Sequence, residues 1–358
     1  MKPMHLDRRK LLLTGAGFPF LASCASDITK LREKPPEALA AELKVCSASY
    51  VVLRNGTPGT AVGLSGCADP DAQPASGIFQ AASLTKPVVA LAGLRLALAD
   101  QLDLNAPVSH YLPNGYKHYS SPLRRGPSDA HDLVPASSLK RVSVAQLFNH
   151  SSGLPNWSGG RLAFEAEPGK RWGYSGEGFV LLQSVIESIT QMELAAFVDQ
   201  QVFKPLGMLD SSLVWRDDFA KRAVNGATIF GLKQQLQFRQ AVSAASMHTT
   251  ATDYARFLSA LLASQPLLSL TVAKPIDVDS ALGLQWGLGW GIENAQGGPY
   301  IWQWGNNPGF RAFAMASVTS KDGFVVFTNS EHGMPLAASI AQRVLPTDHN
   351  AFRFSWVA

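Results

Sequence analysis

The residues of this sequence best suited to chemistry are Ser83 and Lys86, a hydroxyl and an amine three positions apart. Positions i and i+3 share one face of a helix, so the two side chains would be neighbours. The run 88–98 is almost continuously apolar and predicts a mostly buried helix. Pro87 fits only in the first turn of that helix. Ser83 would then lie at the helix N-terminus, where a developing anion is favoured.

This spacing predicts a serine nucleophile that carries its own base. Burial against the apolar helix would remove water from Lys86, lower the pKa of its amine and leave part of it neutral. The alternative is that Lys86 is a solvated surface residue, because Ser-x-x-Lys also occurs by chance in many helices.

Tyr174, in Gly173-Tyr174-Ser175-Gly176, is the second candidate. A tyrosine between glycines just before a helix can direct its hydroxyl into a cleft. Beside a lysine ammonium its phenolate becomes more accessible, and the phenol can pass a proton to a leaving group. The alternative is a core tyrosine whose hydroxyl is already hydrogen-bonded.

The third candidate is the stretch 302–310, which has the pattern of a strand followed by a turn. Glycine allows the backbone to approach closely, and strand N–H groups together with the Ser83 N–H could form an oxyanion hole. The residues proposed to bind substrate or the oxyanion are Ser83, Gly176, Trp304, Gly305, Asn306 and Asn307. The alternative is an ordinary hairpin turn with aromatic packing.

The elements that must position these residues follow from hydrophobic periodicity. Strand patterns lie near both ends of the chain, from about residue 284 onward and between residues 50 and 65, and a mostly helical block separates them. This order predicts an α+β fold in which a mixed domain carries an inserted helical domain; the antiparallel sheet flanked by helices is what the family resemblance described below implies. The predicted limits are 37–90 with 284–358 for the mixed domain and 91–283 for the helical domain. The crevice between them is the expected site. Residues 113–140 have no apolar period and predict a long exposed loop.

The first residues predict export. Four basic residues and one acidic residue precede or begin an apolar run too short to span a membrane. Residues 1–23 resemble a twin-arginine signal peptide of the lipoprotein type, which predicts acylation of Cys24 and a periplasmic protein anchored to the outer membrane. Residues 24–36 would be a linker. The alternative is an ordinary secretory signal with an incidental cysteine.

Cys46 and Cys67 flank a predicted hairpin whose turn contains Asn55-Gly56. If Arg54 pairs with Gly59, the two cysteines face each other across the hairpin, and an oxidising compartment would join them. Two separate buried thiols are the alternative, because directly opposed strand cysteines are strained.

The charge balance and motifs exclude several classes. The net charge of +4 is concentrated in the first residues, so nothing indicates nucleic acid binding. The sequence has no His-Glu-x-x-His, Cys-x-x-Cys or phosphate loop, and we expect neither a metal nor a cofactor. It also has no Gly-x-Ser-x-Gly elbow, which argues against an α/β-hydrolase. His150 is interpreted as the support of a turn.

Taken together, these motifs resemble the serine hydrolases of the class C β-lactamase, penicillin-binding protein and family VIII esterase superfamily. The resemblance runs over about residues 51–345 and includes the stretches 102–113, 147–155, 172–178 and 205–208. It implies that Ser83 is acylated, that Lys86 and Tyr174 form the general-base pair, and that Tyr174 reprotonates the leaving group.

Two positions depart from the superfamily pattern. Gly176 stands where Tyr-x-Asn motifs have an asparagine that holds a substrate amide. The usual Lys-Thr-Gly or His-x-Gly is replaced by Trp304-Gly305-Asn306 or, one residue earlier, Gln303-Trp304-Gly305. Family VIII esterases have Trp-Gly-Gly there, so this chain looks closest to them.

These features predict a serine hydrolase that cleaves small-molecule esters or small amides through an acyl-enzyme on Ser83. A D-amino-acid peptidase or weak β-lactamase is one alternative. A non-catalytic, ligand-sensing lipoprotein is another.

Overall fold

The structure is a computed structural model that describes residues 34–68, 75–126, 128–228, 232–345 and 347–357. The predicted signal peptide 1–23, Cys24 and most of the linker 24–36 lie outside the described residues. Export and acylation therefore stay predictions, as do the limits of the two domains.

One antiparallel sheet of nine strands forms the centre of the fold, in the order β10-β11-β12-β13-β14-β15-β1-β2, with β3 also paired to β1. The predicted α+β class is confirmed. Its strands are β1 (Ala48–Arg54), β2 (Thr57–Pro58), β3 (Val62–Leu64), β10 (Ile276–Asp279), β11 (Leu284–Trp286), β12 (Gly291–Ala295), β13 (Gly298–Asn307), β14 (Phe310–Ser317) and β15 (Gly323–Thr328). The strand region thus begins at Ile276, earlier than the sequence pattern indicated.

Helices cover both faces of this sheet because both faces are apolar. A larger core lies on the side of α2, α6 and α8, and a second core, rich in tryptophan, lies under α1 and α10. The described helices are α1 (Pro36–Glu42), α2 (Thr85–Leu98), α3 (Val108–Tyr111), α4 (Ala136–Leu139), α5 (Val144–Phe148), α6 (Gly176–Thr190), α7 (Leu194–Val198), α8 (Ala251–Ala263), α9 (Gln265–Val272) and α10 (Met334–Val344).

Three short pairs of strands lie outside the main sheet, namely β4 (Phe79–Gln80) with β9 (His248–Thr249), β5 (Tyr116–Tyr119) with β6 (His131–Val134), and β7 (Gly226–Ala227) with β8 (Lys233–Gln234). The second pair corrects the prediction of a structureless loop over 113–140. His118 of β5 is fully buried, with Nδ1 2.6 Å from an Asp132 oxygen and Nε2 3.4 Å from a Glu177 oxygen. The hairpin is therefore attached to the first turn of α6.

The hairpin near residue 55 differs in register from the prediction. Arg54 pairs with Thr57, not Gly59, around a two-residue turn in which Asn55 and Gly56 both have positive φ. The residues between β2 and β3 are irregular, and they change the register with which β1 pairs with β3. As a result Cys46 and Cys67 still meet, and the structure joins them in a disulfide with Cα atoms 4.7 Å apart.

A test of length and hydropathy finds no single helix among the described residues that would cross a membrane. Only α8 and α9 meet the criteria as a pair, with an 89° bend between them.

Candidate active site

Ser83 lies in a 3₁₀ turn, Ala82–Leu84, that leads directly into α2. Hydrogen bonds of the adjacent Thr85 and of two residues distant in sequence hold this turn. Thr85 Oγ1 donates to the Ala82 carbonyl at 2.6 Å and accepts from the Met247 N–H, and Tyr254 Oη donates to the Leu84 carbonyl. Pro87 is in the first turn of α2, as predicted. The nucleophile candidate is thus held at the start of a buried helix.

The residue before Ser83 has an uncommon backbone conformation. Ala82 has a φ of +49°, in the left-handed region, which costs roughly 1–2 kcal/mol for an L-residue. Its small side chain also faces β13, because a Cβ placed on Gly305 would lie 3.3 Å from the Ala82 Cβ and 2.4 Å from the Ala81 oxygen. Glycine at position 305 therefore permits the close approach of strand and turn.

Lys86 is the neighbour of Ser83 that the spacing predicted. Its Nζ donates to Ser83 Oγ at 3.0 Å and to the Ala244 carbonyl at 2.8 Å. The side chain is almost completely buried, and this burial lowers the pKa of Lys86 to about 7. A large fraction of the amine is therefore neutral near pH 7 and able to accept a proton.

Tyr174 completes this group. Its hydroxyl hydrogen-bonds the Ser83 side chain and accepts from Gln303 Nε2 at 3.0 Å, and the Lys86 Nζ lies 4.7 Å from the centre of its ring. The expected lowering of the phenol pKa is wrong. Burial raises the pKa of Tyr174 well above 10, because desolvation outweighs the two hydrogen bonds. The resting site therefore contains a neutral phenol.

The turn before α6 orients Tyr174. Ser175 caps this helix by accepting from the Gly178 N–H at 2.8 Å, and its own N–H donates to Nδ1 of His150. The His150 ring lies 4.4 Å from the Tyr174 ring, and its backbone oxygen accepts from the Gly173 N–H. His150 supports the turn, as predicted. Burial, with a contribution from the Lys86 charge, lowers the pKa of His150 and keeps its imidazole neutral.

The side chain of Gln303 reaches the site from β13. Its amide donates to Tyr174 Oη, to the Ser83 carbonyl at 3.2 Å and to the Trp304 carbonyl at 3.1 Å. Trp304 points to the other face of the sheet, where its ring lies 4.6 Å from that of Tyr174 at an angle of 33°. Of the two alignments of the third motif, Gln303-Trp304-Gly305 is the one that places its first side chain beside Ser83.

The backbone of β13 presents an open edge at this point. β12 pairs with β13 only as far as Trp302, whereas β14 pairs with it as far as Asn307. The N–H and C=O groups of one strand residue point to the same neighbouring strand, and those of the next residue point to the strand on the opposite side. The two-residue turn between Asn307 and Phe310 makes Asn307 face β14, so by alternation Asn306 and Trp304 face the unpaired edge beside the Ser83 turn. Asn307 is turned inward, and its amide donates to Gln80 Oε1 at 2.9 Å.

Gly176 is the first residue of α6, and the space beside it is occupied. A Cβ at this position would lie 2.6 Å from the Asn156 oxygen and 2.9 Å from the Trp157 ring. The indole of Trp157 thus fills the space where a side chain at position 176 would project. Gly176 has no side chain that could contact a substrate. Its contribution is to leave space for the Trp157 ring.

Sequence reasoning missed three contributors to the site, namely Ala244, Trp157 and Trp356, and it named Gln303 only within one of two alignments of the third motif. Ala244 acts through its carbonyl, for which no side-chain pattern exists. The Trp356 ring lies 5.6 Å from that of Tyr174, although 182 positions separate them in sequence. Only Gln303 carried a usable signal, since it occupies the first position of a recognisable motif.

In the described ranges no group of three or more His, Cys, Asp or Glu side chains is arranged to hold a metal ion. The hydroxyl of Ser83 is hydrogen-bonded both to the Lys86 amine and to the Tyr174 phenol, an arrangement that can activate a serine nucleophile.

A serine hydrogen-bonded to a buried lysine and a buried tyrosine, beside an antiparallel sheet, defines a serine hydrolase. A sequence model of the Beta-lactamase family matches residues 37–348, and this chain belongs to that family. The chain is 33% identical to esterase EstB of Burkholderia gladioli over 167 residues, which are 38% of each chain. It is 22% identical to a penicillin-binding protein of Bacillus subtilis (strain 168) over 71% of this chain and 61% of that protein.

The fold agrees with this assignment. A class C β-lactamase structure superposes with a TM-score of 0.71 at 18% identity, covering 90% of this chain and 98% of the other. At this identity the likeness shows the fold alone. The matched region spans less than two thirds of each of the two curated relatives, so their activities are not transferred to this chain on similarity alone.

Proposed function

We propose that this protein hydrolyses esters or small amides through an acyl-enzyme on Ser83. The observation that carries the proposal is the contact of 3.0 Å between Ser83 Oγ and a buried amine whose pKa is lowered to about 7. A surface lysine would be protonated at neutral pH and would not accept the hydroxyl proton.

Acylation begins when the neutral Lys86 amine takes the Ser83 proton and Oγ attacks the substrate carbonyl carbon. The carbonyl oxygen becomes an oxyanion, which the N–H groups of Ser83 and Asn306 would stabilise. Removing one such donor in comparable sites lowers kcat by about a hundred- to a thousandfold.

Tyr174 then completes the proton transfer. Once Lys86 is an ammonium, its charge favours the phenolate, so Tyr174 can give its proton to the leaving oxygen or nitrogen and regain one from Lys86. The bond to the leaving group breaks and the acyl group stays on Ser83. Water then attacks the ester, its proton passes through the same groups to Ser83 Oγ, and the acid is released.

Esters are favoured over β-lactams by the two departures from the superfamily motifs. Gln303 places a neutral amide where the related motif has a cation, and Trp157 occupies the space beside Gly176. Losing a charged contact costs about 1.5–3 kcal/mol, roughly ten- to a hundredfold in rate. The similarity to an esterase supports this choice.

A D-amino-acid peptidase or weak β-lactamase is the second candidate, supported by the penicillin-binding protein among the relatives. Purified protein is assayed with a p-nitrophenyl ester, a chromogenic cephalosporin and a D-alanyl peptide. Ester turnover that Ser83→Ala abolishes is expected. Cephalosporin turnover without ester turnover would select the second candidate, and stable acylation of Ser83 without turnover would indicate a ligand sensor.

We also propose export and a lipid anchor at Cys24, supported by the signal-like residues 1–23 and by a disulfide of the kind that persists in oxidising compartments. Labelled palmitate is expected to enter the wild type but not Cys24→Ser in a bacterial host. Equal labelling of both would reject the anchor.

A further inference from the structure

The segment that follows α10 returns to the active site. The N–H groups of Asn350 and Ala351 donate to the buried Glu293 carboxylate at 2.7 and 3.3 Å. Phe352 then packs 4.6 Å from Phe313, and Phe354 lies 6.0 Å from Trp302 in the tryptophan-rich core. These anchors fix the path of the backbone up to Trp356.

Trp356 lies beside the general-base pair and is not fully buried. Its ring is 5.6 Å from that of Tyr174 and 6.3 Å from that of Trp304, and 46% of the residue is exposed. Trp157 is exposed to 44%. Partly exposed indoles on a fixed backbone are typical of binding surfaces, because they supply contact area at a small entropic cost.

Both indoles line one cavity of about 520 Å³ that also includes Tyr174. This size is in the range of small-molecule sites. Its other lining residues are Gly153, Leu154, Pro155, Asn156, Glu165, Ala166, Arg171, Trp172 and Gly173. The apolar wall is therefore largely indole, and the charged side chains at the cavity are the exposed Glu165 and Arg171.

We propose that Trp356 and Trp157 form a subsite that selects an aromatic leaving group. This inference rests on the proposed ester hydrolysis, in which Tyr174 protonates the leaving oxygen, so the departing alcohol lies on the Tyr174 side of Ser83. Tyr174 itself lines the cavity together with both indoles, and a flat ring bound there can stack on an indole or contact its edge.

The first test compares benzyl acetate with ethyl acetate, which share their acyl group. The ratio of the two kcat/KM values is expected to fall about three- to tenfold in Trp356→Ala, the range for one lost aromatic pair. Trp356→Phe keeps a ring and should restore most of the ratio. Leu209→Ala is the matched control, because Leu209 is 72% exposed and does not line the cavity. An unchanged ratio in both Trp356→Ala and Trp157→Ala would overturn the subsite while leaving ester hydrolysis intact.

A second measurement does not depend on turnover. Benzyl alcohol is titrated into Ser83→Ala and into Ser83→Ala/Trp356→Ala, with binding followed by ligand-observed NMR. The double variant is expected to bind three- to tenfold more weakly. If the wild type hydrolyses no ester but this difference is present, the aromatic subsite stands and the proposed reaction fails. Equal affinities would overturn the subsite.

Discussion

Replacing Gly305 by alanine tests whether β13 forms one wall of the active site. The added methyl group would point at the turn that carries Ser83, 2.4 Å from the Ala81 oxygen and 3.3 Å from the Ala82 Cβ. Backbone atoms cannot rotate away as a flexible side chain does. The strand and the turn must therefore separate.

The separation follows from these distances. An ordinary contact of about 3.4 Å, against 2.4 Å here, requires a shift of about 1 Å between β13 and the Ser83 turn. A misplacement of 1 Å lowers reaction rates by about a hundredfold, and loss of one oxyanion donor has a similar effect. We expect kcat/KM to fall by about a hundredfold. Overpacking of this kind also lowers the free energy of unfolding by about 1–3 kcal/mol.

The assay is initial-rate hydrolysis of a p-nitrophenyl ester, with the thermal unfolding midpoint measured on the same preparations. Gly160→Ala is the matched control, because a Cβ at Gly160 would meet no atom within 4 Å. It should retain wild-type activity and stability. Phosphonylation of Ser83 by a fluorophosphonate, which releases fluoride, reports whether the nucleophile is still reactive in the variant.

Activity of Gly305→Ala within about threefold of the wild type would refute the reasoning. The N–H groups of β13 would then not stabilise the transition state, or the turn and strand would move apart without consequence. A variant that is inactive and also unfolded at the assay temperature must be measured again at a lower temperature, where the folded fraction is restored.

Three further results are expected. Lys86→Met should lose at least a hundredfold in kcat/KM yet unfold at a higher temperature than the wild type, because burial lowers the pKa of Lys86 in the folded protein to about 7, below the ordinary 10.5. This gain in stability should shrink as the pH rises from 7 to 10.5, since the lysine of the unfolded wild type then also loses its proton. A gain in stability that grows with pH would contradict the prediction. Gln303→Leu removes the donor to Tyr174 Oη and should lower kcat up to about tenfold with unchanged circular dichroism, whereas an unaltered kcat would remove Gln303 from the mechanism. Replacing Cys46 and Cys67 together by alanine should lower the free energy of unfolding, measured by urea titration, by about 3 kcal/mol. Reducing the disulfide of the wild type with dithiothreitol should have the same effect. Equal stability with and without the disulfide would contradict this prediction.

The sequence predicts well those contacts that join residues close together along the chain. The neighbourhood of Ser83 and Lys86 depends on one helical turn, and the position of Pro87 depends on its missing N–H, so spacing alone indicates both. The hairpin over 116–134 was missed because its inward residues include His118, which a hydrophobic pattern counts as polar.

The remaining errors concern environment and distant contacts. The phenol of Tyr174 was expected to respond to a nearby charge, but its complete burial dominates the pKa. Trp356 and Gln303 reach the site through sheet pairing and the packing of a segment far along the chain, and no spacing rule relates them to Ser83. The register of the hairpin near residue 55 was predicted from a turn that was too long. The actual turn consists of Asn55 and Gly56 alone, so Arg54 pairs with Thr57.

The end of β13 has a consequence for solubility. A strand that loses its neighbour partway along exposes unpaired donors and acceptors, to which a strand from another molecule can add. Here the Ser83 turn lies against that stretch, close enough that Gly305 has no room for a methyl group. The backbone groups proposed to bind the substrate oxygen are thereby shielded from a foreign strand, so this sheet edge offers no site for aggregation.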